Sequence, residues 1–529
     1  MSRDFQFPGR SAVHATGGMA ATSHPLATGV AVDVLKAGGN ALDAAIAANA
    51  TLAVVEPQST GIGGDCFVLM AKDGTDDVIG FNGSGRSPAA AELSWYFDRG
   101  FTEIPEESVH AATLPGAVDA WLTLHADHGR IPFADLLSPA IRYARDGAPV
   151  HARVRRDWLI AQPLLEKNAA AKAVYLPGGK VPEEGDLHVQ KALADTLRSI
   201  AEGGRSGFYD GPVAASMVKT LRGEGGLHTL DDFAAVRGDY VVPISTDYRG
   251  YRVHQIPPNN QGITALIMLN LLERFDLAAL DPLSVERTHL EIEAGRLAFA
   301  VRDAEIADES AMLSRTDRLL SKDWAAGLAG SIRRDKAATA LPDLSLRQSD
   351  TVYVSVVDRD RNAVSFINSV YDSFGCGILC PDTGVMFQNR GNCFNVEPSH
   401  PNCIGPSKRP RHTIMPGMLT RDGRALMPYG VMGGDYQPFG HVRVLTNMID
   451  YGLDPQAAID MPRVFASDGL VHLEKTFSPD VRAGLAVLGH DVSFVDKPFG
   501  GGQAIFIDHA RGIVTGGSDP RKDGCALGY

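Results

Sequence analysis

The stretch from Ala41 to Val55, ALDAAIAANATLAVV, is apolar on nearly every face that a helix would present. A helix apolar all round is a buried one, so this segment is core. Asn40 stands before it as an N-cap, and ATGVAVDVLKAGG at 27–39 reads as a preceding helix stopped by Gly38 and Gly39. After it comes a glycine-rich turn, Glu56 to Asp65, and then a strand, Cys66 to Met70. A phosphate-binding loop would need a Lys-Ser or Lys-Thr after the last glycine and a helix opening there. Neither is present, so the turn reads as a tight helix-to-strand connection.

Residues from about 105 to 345 are mostly helical in pattern. VDAWLTLHADHG, FADLLSPAIRYARDG, VQKALADTLRSIAEGG and VERTHLEIEAGRLAFAVRDAE all show i, i+3, i+4 apolar spacing with Gly or Pro boundaries. PPNNQG at 257–262 is a polar turn before another helix. His289 lies beside Glu291 and Glu293, but H-x-E-x-E is not a zinc-helix spacing, so a packing role is expected. The pattern changes at Leu341 to Asp350, a polar, non-periodic connector. Thr351 to Val357 follows, rich in β-branched residues, then a charged tip and Ala363 to Val370: a β-hairpin. Later strands are expected at 471–473, 491–495, 503–507 and 512–515. Helices first and hairpins later predict stacked helix and sheet layers, not a doubly wound sheet.

Composition removes several classes of function. Fifty basic against 63 acidic residues give a net charge of −13, which opposes nucleic acid or an anionic membrane as the main partner. An anionic small substrate then needs a local basic pocket. No apolar run is long enough to cross a membrane and the first residues lack a secretion signal's pattern, so the expected compartment is the cytoplasm. Cys376, Cys380, Cys393 and Cys403 lie close in sequence, without a C-x-x-C pair, so neither structural zinc nor another metal is expected. No dinucleotide loop is present, and no cofactor is expected. Self-association is left open.

A threonine stands at the junction of an exposed connector and a strand, where an ordinary strand start and an N-terminal nucleophile are both open readings. Cleavage before Thr351 would give it a free α-amine. Such an amine has a pKa of about 7.7–8.0, against about 10.4 for lysine, so a useful fraction is free base at neutral pH. One residue would then hold both nucleophile and general base.

The chain resembles the gamma-glutamyltranspeptidase family of N-terminal nucleophile hydrolases over nearly its whole length. The resemblance rests on AGGNALDAAIAANATLAVVEPQSTGIGGD at 37–65, PPNNQG at 257–262, Thr351 to Gly375, the Gly433-Gly434 pair and the ending SDPRKDGCALGY. It implies an α+β, four-layer αββα sandwich, cut between Asp350 and Thr351. The large chain would be 1–350 and the small chain 351–529, together one structural unit. It implies Thr351 as autocleavage residue and nucleophile, and Ser369 as a second hydroxyl bonded to it. The N–H groups of Gly433 and Gly434 would form the oxyanion hole.

The departures from the family pattern point to the substrate. Asn82 falls where transpeptidases hold the γ-glutamyl carboxylate with an arginine, and Arg86 lies four residues on. Cys393 falls where an acid would hold the ammonium. Tyr371 replaces an asparagine, His412-Thr413 replaces a pair of serines, and Arg390 is a gained cation. The expected substrate-binding set is therefore Asn82, Arg86, Tyr371, Arg390, His412 and Thr413. This pattern is similar to the family's oxamate amidohydrolase branch, which implies hydrolysis of a short carboxylate-bearing amide to oxalate and ammonia. Two alternatives stand beside it: a glutathione hydrolase or gamma-glutamyltransferase, and an uncleaved, inactive binding homologue.

Overall fold

The computed structural model describes residue 6, residues 9–338 and residues 351–529. Asp350, on the amino side of the expected cut, lies outside the described residues, as does the whole of the expected connector, Leu341 to Asp350.

Two seven-stranded sheets lie face to face. One runs Cys525–Gly528, Met19–Thr22, Val352–Val357, Ala363–Ser369, Asp65–Ala71, Val78–Gly83 and Asp239–Val241. The other runs Val13–Ala15, Ile513–Ser518, Gly501–Asp508, Arg424–Met432, Gly417–Arg421, Tyr251–Gln255 and Ile244–Tyr248. Both sheets mix strands from before residue 338 with strands from after residue 351, so the two halves share one core.

The alternation of side chains along a strand explains the layers. In Val352–Val357 the residues Val352, Val354 and Val356 turn to the helices, where they meet Ile46, Leu52 and Val68. Tyr353 and Val357 turn the other way and pack with Ile367, Met418, Ile505 and Ile507 between the sheets. A strand buried on both faces must read as a continuous apolar run, which is how TVYVSVV reads. The first outer layer includes Pro25–Lys36, Ala41–Val55, Phe133–Asp146 and Lys191–Gly203. The second includes Gly262–Leu272, Val285–Glu305 and Gln437–Ile449. The expected αββα sandwich is present.

Ala41–Val55 is buried along its whole length and opens on a capping box between Asn40 and Asp43. The hairpin and the later strands form where the sequence places them. The expectation for 105–345 needs correction: Asp239–Val241, Ile244–Tyr248 and Tyr251–Gln255 are strands within that span. The last two form a hairpin around Arg249 and Gly250, whose φ values of 51° and 81° are left-handed.

The sheets approach closely where Tyr353 faces Gly430: a Cβ at Gly430 would sit 2.5 Å from the ring. Gly430→Ala should destabilise the protein by about 1–3 kcal/mol through overpacking, read as a lowered Tm. An unchanged Tm would mean the sheets can part there at no cost.

Candidate active site

The hairpin register places the candidate nucleophile. Val352 pairs with Asn368 and Tyr353 with Ile367, so Thr351 stands opposite Ser369. Their hydroxyl oxygens are 3.2 Å apart, and both residues are wholly buried. Ser369 Oγ also accepts the Tyr371 N–H at 2.8 Å. The glycine-rich turn packs against this hydroxyl pair. A Cβ at Gly64 would lie 2.1 Å from the Ser369 carbonyl oxygen, and one at Gly63 2.1 Å from that of Met386. These glycines are there for close backbone approach.

Tyr371 has a left-handed φ of 80°, and the Arg390 guanidinium stacks on its ring at 4.0 Å. Arg390 is wholly buried. Its Nη1 donates to Thr413 Oγ1 at 2.7 Å and lies 4.0 Å from the Cys393 sulfur. Its Nε and Nη2 have no acceptor, and it makes no ion pair with a carboxylate among the described residues. The nearby acids are committed elsewhere. Arg302 binds both Asp435 and Asp303, and Arg411 binds Asp303. Arg302 also donates to Gln261 Oε1 at 2.9 Å.

His412 has no ring nitrogen left over. Nδ1 accepts the Ile414 N–H at 3.3 Å, so Nε2 carries the proton and donates to Asp65 Oδ2 at 3.0 Å. Burial, then the nearby Arg390, pushes its pKa down to about 3 despite Asp65. Asp65 gathers three further donors on Oδ1: the N–H groups of Gly85 and Gly116 and the Gln388 amide. Both ring nitrogens of His412, expected in the substrate-binding set, are thus spent within the protein.

Gly433 and Gly434 follow strand Arg424–Met432 and take φ values of 128° and 60°. Gly434 opens a 3-10 turn that runs on into helix Gln437–Ile449. The N–H groups at the start of such a helical segment have no acceptor within it.

The other expected substrate-binding residues lie in different surroundings. Asn82 donates to Asn259 Oδ1 and accepts the Ser84 N–H. Arg86 has a side chain 41% exposed, lies 3.6 Å from Asp308 and 3.8 Å from Asp239, and donates to the Ser407 carbonyl. It is already neutralised, and Arg390 is not. His289, for which a packing role is expected, lies 2.7 Å from His490 and 2.6 Å from the Arg333 carbonyl. With Glu293 these two histidines form the one metal-ligand-like group among the described residues. The cysteines are all free thiols. The sequence reading passed over Asp65 and Gln261 as site residues, although both end the polar turns it singled out.

A model of the gamma-glutamyltranspeptidase family matches residues 27–529. The chain belongs to that family. It is thereby a hydrolase acting on amide C–N bonds, built on the N-terminal nucleophile fold. A glutathione hydrolase-like proenzyme, YwrD of Bacillus subtilis, is 41% identical over 96% of this chain and 98% of its own. The oxamate amidohydrolase proenzyme of Klebsiella pneumoniae is 36% identical over 97% of this chain and 99% of its own. Among solved structures, cephalosporin acylase from Bacillus halodurans superposes with a TM-score of 0.92 at 39% identity, covering 100% of this chain and 99% of that one. Overall similarity thus does not select oxamate over glutathione.

Like His412, His24 and His441 are buried neutral with pKa values pushed down to about 3, and His188 and His228 to about 4, burial being the main cause in each. Unfolded, each titrates near 6.5. Their stabilisation is complete above that value and is lost as pH falls towards 4. Each such histidine should cost about 1.4 kcal/mol per pH unit across that window. Denaturant midpoints should fall steeply from about pH 7 to about pH 5, and His441→Gln should flatten the slope. Equal midpoints across that range would contradict this reading.

Proposed function

We propose that the protein is cut before Thr351 and hydrolyses small amides whose acyl group carries a carboxylate but no ammonium, oxamate being the simplest. The observation that carries this reading is Arg390: a fully buried guanidinium with two unused nitrogens and no acidic partner among the described residues. A buried cation without a counter-charge is costly, so the site is complete only when an anion joins it. A guanidinium suits a carboxylate because its planar fork binds both oxygens. Tyr371 links this charge to the Ser369–Thr351 hydroxyl pair: its ring carries the Arg390 guanidinium and its N–H donates to Ser369 Oγ. That favours an acyl group with its carboxylate close to the reacting carbonyl.

A γ-glutamyl donor would also need an acid for its ammonium. The family's position for that acid holds Cys393, while Asp303 and Asp435 are bound to arginines. The similarity to YwrD keeps glutathione hydrolysis as the second reading.

In the proposed mechanism the Thr351 α-amine takes the hydroxyl proton as Oγ1 attacks the amide carbonyl. The N–H groups of Gly433 and Gly434 receive the negative charge on oxygen. Collapse passes the proton to the leaving nitrogen and releases ammonia, leaving an ester on Thr351. Water, deprotonated by the same amine, attacks the ester and frees the acid. Ser369 holds the Thr351 hydroxyl in line, and Thr413 and Tyr371 hold Arg390.

A denaturing gel should show two fragments for wild type and one intact band for Thr351→Ala. An intact wild-type chain would refute the cut. In an ammonia-release panel, oxamate should exceed glutamine and glutathione in kcat/KM. Losing charge-assisted hydrogen bonds through Arg390→Ala should lower kcat/KM about 10–100-fold, with processing intact. Arg86→Ala, at an already paired arginine, should leave it within about twofold, as exposed ion pairs contribute little. A better γ-glutamyl substrate would overturn the pocket reading.

The steps need no metal ion, and the His289, Glu293 and His490 side chains are satisfied among themselves and by segment 333–338. Activity should survive exhaustive chelation; a loss restored by one divalent ion would refute this.

A further inference from the structure

Gln261 ends the Pro257–Gln261 turn and is wholly buried. It touches neither hydroxyl of the Thr351–Ser369 pair, yet its N–H and both polar atoms of its side chain are spent on the elements around them. Its backbone N–H donates to the His412 carbonyl at 2.9 Å. Its side-chain amide donates to the Thr413 carbonyl at 2.6 Å and the Gly434 carbonyl at 3.1 Å. Its Oε1 accepts from Arg302, which in turn binds Asp435. One side chain therefore spans the two segments on which the proposed site depends. Thr413 supplies the hydroxyl that holds Arg390, and Gly434 supplies an N–H for the oxyanion.

The glycine turn needs such a fastening. Positive φ costs glycine nothing, so glycine also resists nothing when a peptide plane rotates. The plane before Gly434 is pinned by the Tyr436 N–H on the Gly433 carbonyl. The plane after it is pinned by Gln261 on the Gly434 carbonyl. Without the second fastening the plane after Gly434 can turn about the glycine, leaving the Gly434 N–H held only through the Tyr436 bond to the Gly433 carbonyl, where donor placement decides the rate.

We infer that Gln261 is a positioning residue that couples the Arg390 carboxylate anchor to the Gly433–Gly434 oxyanion turn. The inference rests on the roles proposed above for Thr351, Gly434 and Arg390. A second structural consequence follows: binding a carboxylate at Arg390 tightens Thr413, and through Gln261 tightens the turn that stabilises the transition state. Amides that lack the carboxylate lose that help as well as the anchoring contact.

The test is a double-mutant cycle on the amide that wild type hydrolyses best, using Gln261→Met and Arg390→Lys. Gln261→Met keeps the shape and removes all side-chain hydrogen bonds. It should lower kcat about 10–100-fold, less than outright loss of an oxyanion donor, with KM within about fivefold. In the Arg390→Lys background the same change should cost at least about fivefold less than in wild type, the mark of coupled residues. Gln261→Glu, which keeps an acceptor for Arg302 but has no hydrogen for either carbonyl, should repeat the kcat loss and guards against misfolding of the first variant. Two results would overturn the inference: kcat within twofold of wild type in either folded variant, or single effects that multiply without coupling. Failure of both variants to accumulate as folded, processed protein would assign Gln261 to folding and end the positioning claim. A wild type that releases ammonia from none of the carboxylate amides would instead strike the parent reading of the site.

Discussion

The register of one hairpin governs the rest of the molecule. Val352 opposite Asn368 sets Thr351 beside Ser369, and a slip of one residue would turn the Tyr353 side of the strand to the helices. Slippage is prevented from both faces and both edges. Met19–Thr22 and Asp65–Ala71, from the other half of the chain, flank the hairpin in the same sheet. The uniformly apolar Ala41–Val55 helix covers one face, and the second sheet covers the other. The cost of moving the threonine is the cost of unpacking four layers, so a single hydroxyl is held in place without a dedicated clamp.

Around that fixed point the charges are arranged unevenly. Arg302, Arg411, Asp303 and Asp435 neutralise one another, and Asp65 is saturated by His412, Gln388 and two backbone donors. Arg390 keeps two unused donors in a buried setting and, among the described residues, has no carboxylate partner. Its one side-chain oxygen partner is the hydroxyl of Thr413, and its stacking partner is Tyr371. On the proposed reading, substitutions at a few positions around the nucleophile and glycine pair suit the family scaffold to a plain anion.

How much of this could be read from sequence depended on whether the signal was local. The Ala41–Val55 helix was legible from its apolar surface, and the Thr351 hairpin from its β-branched run and charged tip. Strand Arg424–Met432 was not, because Pro428 and Gly430 argue against a central strand. In the fold Pro428 lies where the strand is paired on one side only, since pairing with Gly501–Asp508 begins at Tyr429. Gly430 is there to admit the Tyr353 ring. The site shows the same divide. Thr351, Ser369, Gly433 and Gly434 sit in recognisable motifs, and Arg390 and Thr413 were legible as departures from a pattern. That Arg86 is spent on Asp239 and Asp308, and that Asp65 and Gln261 tie distant segments together, depends on residues more than a hundred positions apart.

The central claim is that Thr351 accepts an acyl group which bears a carboxylate and no ammonium. Its most direct test is mass spectrometry of the protein quenched in acid moments after mixing with oxamate, and in parallel with a γ-glutamyl amide. A single oxalyl group is expected on the peptide that begins with Thr351, with no comparable γ-glutamyl adduct. A γ-glutamyl ester on Thr351 with no oxalyl adduct, or an acyl group on any other residue, would contradict it.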